Sequence, residues 1–351
     1  MDRKLRVGIA GYGTVGKVRH KYSAQHPQLQ VVAVCDQSFA KPGAFEDGVR
    51  FYSNFEQLAT EQLDILFVCL PNYLAPGVTI AGLERGLHVF CEKPPGRNLD
   101  DIRDVMECEK RYPEQKLMYG FNHRYHDSVQ DALRIIQSGE LGEVRDIRGV
   151  YGKSKIIRFD TNEWRTQRAK AGGGILLDQG IHMVDMMRLF AGEFTEVHSF
   201  VRNDFWMHDV EDNAYALMRT ADGKVAMLHS SATQWRHRFQ LDITLRRGAI
   251  LLSGILTNSR SYGAETITVV YAGENDGGDP KEQMTRYNSD HSWPDEIAAF
   301  VDCIVAGKPV QAGSSADAYM TMDLVDRIYR ADPEWMARFP QSSAITDPEI
   351  K

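Results

Sequence analysis

The stretch Leu5-Arg6-Val7-Gly8-Ile9-Ala10-Gly11-Tyr12-Gly13-Thr14-Val15-Gly16 decides the fold of this 351-residue chain. Its first half is a short apolar run, the signature of a strand buried on both faces in a parallel sheet. Its second half is a G-x-G-x-x-G. A helical pattern follows to about Ala24, then a second apolar run over 31–35 that ends at Asp36. The first glycine suits a tight turn, the second leaves room for a pyrophosphate against the backbone, and the third lets helix and strand pack closely. The helix N-terminus offers its N–H groups to an anion. Asp36 stands where a carboxylate accepts hydrogen bonds from an adenosine ribose. The unit therefore reads as a dinucleotide site, with Gly11, Tyr12, Gly13, Thr14, Val15, Gly16 and Asp36 as cofactor residues. No arginine follows Asp36 closely, so the site leans toward NAD, with NADP as the alternative because Lys41 lies nearby.

Working outward, apolar runs over 63–70, 87–91 and 116–121 alternate with helical patterns over 79–85 and 99–111. Such alternation means a doubly wound parallel sheet, in which ligands lie beyond the carboxyl ends of the strands. Asn72, Lys93 and Asn122 all fall just past such ends. Lys93 precedes Pro94 and Pro95, which stiffen it, and a cis prolyl bond there would aim it inward.

From Val144 the pattern changes. Strand-like runs over 144–151, 197–201, 213–220, 224–233, 239–245, 249–255 and 266–271 are separated by turns such as Asp222-Gly223 and Arg247-Gly248. This predicts an antiparallel sheet in an α+β second half. Into it runs Gly172-Gly173-Gly174-Ile175-Leu176-Leu177-Asp178-Gln179-Gly180-Ile181-His182, a glycine-rich flexible opening to an apolar helix. Asp178 and His182 are four apart and so are neighbours on one helix face. They read as an active-site wall, as a buried hydrogen-bonded pair, or as metal ligands with Asp185 or Glu163. Late helices over 297–305 and 317–329 cover the first domain or the sheet edge.

The bulk composition is that of a globular protein, with 43% hydrophobic and 25% charged residues. A formal net charge of −7 argues against nucleic acid or an anionic membrane surface as a partner. No apolar run approaches the roughly 20 residues that span a bilayer. The N-terminus runs straight into a strand pattern without a signal peptide, and the odd set Cys35, Cys69, Cys91, Cys108 and Cys303 suits reduced thiols of a cytoplasmic protein.

The N-terminal G-x-G-x-x-G, Glu92-Lys93-Pro94, Trp164-Arg165, and the triple glycine with Asp178 and His182 together resemble the glucose–fructose oxidoreductase/inositol dehydrogenase/rhizopine-catabolism (Gfo/Idh/MocA) family, over nearly the whole chain to about Ala331. The resemblance implies a Rossmann domain over 1–123 and a substrate and oligomerisation domain over 124–336 with a large, open, mostly antiparallel sheet. The remaining residues, 337–351, read as a flexible tail. It also implies hydride transfer between NAD(P) and a carbohydrate or related alcohol, and a homodimer or homotetramer formed through the sheet. By this resemblance Lys93, Asp178 and His182 are catalytic. Leu70, Pro71, Asn72, Glu92, Lys93, Trp164 and Arg165 join the cofactor residues. Lys93, Asn122, His123, Trp164, Arg165, Asp178, Gln179 and His182 bind substrate, and no metal is implied. Family members often carry a histidine where this chain has Ala75. Phe205-Trp206-Met207-His208 matches no subfamily signature, and basic Lys153, Lys155 and Arg158 read as a solvated strand end or as partners of a sugar diphosphate. A lyase or epimerase that recycles bound NAD, and an NADH-sensing protein without turnover, are the competing functions.

Overall fold

The computed structural model describes residues 3–154, 163–257, 259–273 and 277–339. The chain divides into two compact units, one of residues 1–122 with 293–322, the other of residues 123–292 with 323–351.

The first unit holds strands β1 (Leu5–Ala10), β2 (Leu29–Cys35), β3 (Gly43–Ala44), β4 (Arg50–Tyr52), β5 (Ile65–Val68), β6 (His88–Glu92) and β7 (Leu117–Gly120). They form one sheet in the order β3-β4-β2-β1-β5-β6-β7. All pairs are parallel except β3 with β4. Helices α1 (Thr14–Gln25), α2 (Phe55–Leu58), α3 (Ala75–Glu84) and α4 (Leu99–Glu109) connect them. The central strands bury every residue of Ile65–Val68, the pattern of a sheet covered on both faces. Asn98 caps α4 by accepting from the Asp100 and Asp101 amides. No helix lies between β2 and β4. The short hairpin β3–β4 replaces it, with Phe39 and Phe45 packed against Tyr12 and Phe51 behind them, stacked on Phe39 at 4.7 Å.

The second unit holds α5 (Asp127–Ser138), β8 (Val144–Gly152), α6 (Arg168–Ala171) and α7 (Ile181–Ala191). Then come β9 (Phe194–Arg202), β10 (Asn213–Thr220), β11 (Val225–Ser231), β12 (Arg238–Leu245), β13 (Gly248–Ser253), β14 (Glu265–Tyr271) and β15 (Lys281–Tyr287). The sheet order is β15-β14-β13-β12-β8-β11-β10-β9. It is antiparallel except for β8 with β11, which run parallel. Gly149 of β8 has no side chain because Met183 and Met187 of α7 occupy that space; a Cβ there would lie 2.5 Å from Met187. The opposite face alternates outward and carries exposed Phe200, Tyr215, Leu217 and Met227 on adjacent strands, among charged residues such as Glu196 and Arg219.

Of the two places open to the late helices, residues 293–322 take the first: most of α8 (Ser292–Val305) and the start of α9 (Ser315–Arg330) cluster with the first unit. Two features depart from the sequence reading. Strand β15 escaped notice because its residues Lys281–Tyr287 are almost wholly exposed and lack apolar alternation. Ala337 and Arg338, assigned to the tail, complete α10 (Pro333–Arg338), which Asp332 caps. Residues 340–351 of the tail, with Lys155 and Arg158, lie outside the described residues.

Candidate active site

In the first unit, the loop after β1 has the shape a dinucleotide needs. Gly11 has φ of 89°, and a Cβ there would lie 2.3 Å from the Cys69 carbonyl oxygen. A Cβ on Gly16 would come within 2.0 Å of the Gly11 oxygen. At Gly13 a Cβ would meet nothing within 4 Å, so that flank of the loop is open beside the N-terminus of α1. Asp36 Oδ2 accepts from the Tyr12 amide at 2.8 Å, and Oδ1 accepts from the Ser38 amide at 3.0 Å. Burial raises the Asp36 carboxyl pKa, but hydrogen bonds from Ser38 and Tyr12 and the charge of Lys17 outweigh it and hold it below its ordinary value. The carboxylate is thus ionised at the end of β2. Together the cramped first and third glycines, the open second one and the anchored carboxylate fit NAD.

The next strand ends lie in the same unit. Leu70, Pro71 and Asn72 follow β5, with Asn72 buried. Asn122 follows β7 and is also buried. Glu92 closes β6, and the Lys93–Pro94 bond is cis. Behind Glu92 sits a residue that sequence reasoning missed. Arg19 of α1 is fully buried. Its Nε donates to Glu92 Oε1 at 2.6 Å and its Nη2 to Glu296 Oε2 at 2.6 Å. Phe90 and Trp293 flank the guanidinium at 4.3 and 4.5 Å from their ring centres. Burial alone would lower the Arg19 pKa, but the two carboxylates more than offset it and raise it. In sequence Arg19 was one polar residue among several in α1.

In the second unit, the triple glycine is pinned. Glu211, fully buried, accepts from the Gly174 amide at 2.7 Å, the Leu176 amide at 2.9 Å and the Tyr329 hydroxyl at 2.7 Å. Burial raises its carboxyl pKa despite these donors. A Cβ on Gly173 would lie 2.3 Å from the Tyr329 hydroxyl, and one on Gly174 would lie 2.1 Å from the Glu211 carbonyl oxygen. The glycines therefore serve close packing, which corrects the expectation of a flexible opening. The next turn, Leu176–Gly180, is π-helical before α7 begins at Ile181. Such single π turns recur at functional sites.

That turn carries Asp178. Its Oδ2 accepts from Lys153 Nζ at 3.1 Å, and Arg165 Nε lies 3.7 Å from Oδ1. Arg165 also bonds Glu163 at 2.6 Å, and its guanidinium lies 4.4 Å from the centre of the Trp164 ring. Lys153 had been grouped with a solvated strand end. Its position on Asp178 follows from β8 ending beside the π turn, which no sequence spacing displays. His182 is buried and stacks on His123, with ring centres 3.7 Å apart and planes at 11°. His123 Nε2 lies 3.0 Å from the Tyr151 hydroxyl. The Tyr262 hydroxyl donates to Gln179 Oε1 at 3.1 Å, and its ring packs edge-on against Tyr151. Burial, the largest effect, raises the pKa of both phenols, so both remain neutral. The Gln179 Nε2 is buried and has no hydrogen-bond partner among the described residues. An amide N–H placed so invites an acceptor oxygen from a ligand.

The carboxylates of the metal reading are committed elsewhere. Asp185 forms a buried bidentate pair with Arg124 at 2.6 and 2.5 Å, and Glu163 is held by Arg165. Among the described residues no cluster of three or more histidine, cysteine, aspartate or glutamate side chains is grouped to hold a metal. All five cysteines are free, and burial pushes the Cys35 and Cys91 thiols up to about 12, so neither serves as a nucleophile. No described helix is long and apolar enough to cross a membrane.

Comparison with known proteins assigns the chain to a family. Residues 5–121 match the oxidoreductase family, NAD-binding Rossmann fold, and residues 129–251 match the Gfo/Idh/MocA C-terminal domain. The D-glucoside 3-dehydrogenase of Escherichia coli K12 is 26% identical over 350 residues, covering 93% of this chain and 95% of the relative. The inositol 2-dehydrogenase of Rhizobium meliloti 1021 is 26% identical over 342 residues, covering 94% and 97%. A levoglucosan dehydrogenase solved with NADH and levoglucosan superposes with a TM-score of 0.81 at 20% identity, covering 95% and 98%, and so shares the fold. The chain thus belongs to the Gfo/Idh/MocA family, and it is an NAD(P)-dependent dehydrogenase acting on CH–OH groups through an NAD-binding Rossmann domain.

Proposed function

We propose that this protein oxidises a secondary hydroxyl of an uncharged sugar or cyclitol and uses NAD in preference to NADP. One observation carries the substrate class: the arrangement of Asp178, Gln179 and His182 on one π/α turn. Asp178 already faces Lys153 and Arg165, and Arg165 faces Glu163, so the cations and carboxylates there balance. A balanced, hydrogen-bonding wall with a buried amide donor suits a neutral polyol better than a sugar phosphate. The names of the sugar and cyclitol dehydrogenases among the relatives support the same class.

The residues take these roles. His182 accepts the hydroxyl proton, since an imidazole titrates closest to neutral pH. The Lys93 ammonium stabilises the alkoxide charge as it develops, an electrostatic contribution of about 3–4 kcal/mol for a comparable donor elsewhere. Asp178 accepts from a neighbouring substrate hydroxyl while Lys153 and Arg165 fix its carboxylate. Gln179, Asn122 and His123 orient further hydroxyls, and Trp164 offers an apolar face. The bound nicotinamide supplies the hydride acceptor. Gly11, Tyr12, Gly13, Thr14, Val15 and Gly16 hold the pyrophosphate, and Asp36 binds the ribose 2′- and 3′-hydroxyls. Leu70, Pro71, Asn72, Glu92, Lys93, Trp164 and Arg165 take the remaining cofactor roles that the family resemblance assigns. The ionised Asp36 supports the NAD preference, because a 2′-phosphate beside it would be repelled. The exposed Phe200, Tyr215, Leu217 and Met227 support a homodimer or homotetramer built through that face. The protein works in the cytoplasm, consistent with its free cysteines.

The test is absorbance at the reduced-nicotinamide band with NAD and then NADP against inositols, free sugars, glycosides and sugar phosphates. The expected result is net NADH formation with a neutral polyol, lost in Lys93→Ala. Tight NADH binding without net turnover on any of them would instead support bound-cofactor lyase or epimerase chemistry, or sensing.

A further inference from the structure

Beside the Asp178 wall, within the same unit, lies a second group of aromatic rings that the proposed chemistry does not use. Trp235 and Phe205 are 72% and 51% exposed, values far above those of ordinary large aromatics. Trp206 lies beneath them and packs on buried Ile175, Val210 and Ala232. The Phe205 and Trp235 rings are 6.1 Å apart at 70°, and those of Trp206 and Trp235 are 6.3 Å apart at 71°. The rings thus meet nearly at right angles, with Trp235 and Phe205 exposed above Trp206.

The backbone beneath this corner is fixed. Asp212 Oδ2 accepts from the Phe205 and Trp206 amides at 2.9 and 3.0 Å. Trp206 Nε1 donates to the Ala232 carbonyl at 2.8 Å. The loop that carries Trp235 is tied to the strand end bearing Lys153, since the Gln234 amide donates to the Lys153 carbonyl at 3.0 Å. Two residues beyond Trp235, His237 Nε2 lies 3.2 Å from Ser154 Oγ, and its ring packs on Tyr262 at 5.2 Å. Tyr262 in turn holds Gln179. Ile175 beneath Trp206 stands three residues before Asp178. The aromatic corner is therefore anchored to the polyol wall at both sides.

We infer that Trp235 and Phe205 form a second subsite that stacks on the ring attached to the oxidised sugar, a second pyranose or an aryl aglycone, so that the preferred substrate is a glycoside and not a free monosaccharide. Sugar rings and aryl groups present flat C–H or π faces, which aromatic side chains bind by stacking. Two exposed aromatic side chains set at a steep angle suit a ring that leaves the first subsite at an angle. This inference rests on the sugar-oxidation reading and extends it.

The test pairs turnover with binding. Steady-state NADH formation is measured for wild type, Trp235→Ala, Phe205→Ala and Trp235→Phe, with a free sugar and its methyl, phenyl and glycosyl derivatives. Calorimetric titration of the NADH complex with the same ligands runs alongside. The expected result is a KM roughly five- to tenfold lower for phenyl and glycosyl derivatives than for the free sugar in the wild type. That advantage should vanish in Trp235→Ala, persist in Trp235→Phe, and leave the free-sugar kcat/KM within about twofold in all variants. If no sugar is turned over but titration shows aglycone-dependent binding that Trp235→Ala removes, the oxidation reading fails and the subsite stands. If the variants keep the wild-type preference by both methods, the subsite is refuted while the oxidation reading survives. A change of oligomeric state in Trp235→Ala with an unchanged preference refutes it equally and makes the corner a contact between copies.

Discussion

Replacing Arg19 by methionine isolates the link between the buried core of the first unit and the segment that presents Lys93. The guanidinium is wholly buried between Glu92 and Glu296, each at 2.6 Å, and Glu296 is itself fully buried. Methionine fills much of the volume between Phe90 and Trp293 but leaves both carboxylates without their cation. Removing one partner of a buried ion pair costs about 3–5 kcal/mol, because the remaining charge is left uncompensated. In a unit of this size each kcal/mol moves the melting point by about 2–4 °C, so Arg19→Met should melt roughly 6–20 °C below wild type. The cause is specific and can be reversed. Arg19→Met combined with Glu92→Gln and Glu296→Gln removes the stranded charges and should recover at least half of the loss. Arg19→Lys should sit between, since an ammonium serves both carboxylates less well than a planar fork. Because Lys93 follows Glu92 directly, Arg19→Met should also lower kcat more than it raises the KM for the polyol. Scanning calorimetry with NADH absent reads the stability effect, and steady-state kinetics read the second. A melting-point loss below about 3 °C, or a triple variant less stable than the single one, would refute the reasoning.

Other consequences follow from individual groups. Asp36→Ser should shift the ratio of kcat/KM values for NAD and NADP toward NADP by at least tenfold, measured with the best polyol; an unchanged ratio would remove Asp36 from the ribose site. Burial raises the pKa of the Glu265 carboxyl, but the His126 ring at 2.8 Å and the Ser128 hydroxyl at 2.7 Å hold it below its ordinary value. The folded pKa is therefore the lower one, so this group stabilises above the unfolded value near 4.3 and loses that contribution as pH falls through the folded value. Glu265→Gln should flatten the acid limb of a plot of stability against pH, read by urea denaturation between about pH 3 and 6; an unchanged slope would contradict the assignment. Leu217→Glu, on the outward face of β10, should dissociate the proposed oligomer in sedimentation velocity without changing monomer stability by more than about 0.5 kcal/mol; an intact assembly would move the contact elsewhere.

The sequence carries the first unit best where pattern and chemistry coincide. Strand β1, the glycines, α1, β2 and Asp36 were all legible, because a buried parallel strand is a continuous apolar run and each glycine has its own steric task. The hairpin β3–β4 was not, since two residues at Gly43–Ala44 carry no period, and its structure comes from aromatic packing on Tyr12. In the second unit the inward and outward alternation of β10 and β12 announced itself, while the exposed edge strand β15 did not. The Gly174–His182 stretch was recognised by composition, yet its π turn follows glycines held by Glu211, 37 residues from Gly174, and by Tyr329, 118 residues from Glu211. Lys153, Tyr262 and Arg19 were missed or undervalued for the same reason. Each gains its role from a strand end or helix face brought alongside by the fold, and none belongs to a spaced motif.

The central claim is alcohol oxidation by direct hydride transfer with His182 as base and Lys93 as electrostatic catalyst. Its most direct test is single-turnover NADH formation after mixing the NAD complex with a polyol carrying hydrogen or deuterium at the oxidised carbon. Wild type, Lys93→Met and His182→Gln are compared. NADH should form more slowly from the deuterated polyol in wild type. Rates in both variants should be lower by at least about a hundredfold, with NADH binding retained. Rates in the variants within a few-fold of wild type, or no NADH from any polyol that binds, would contradict it.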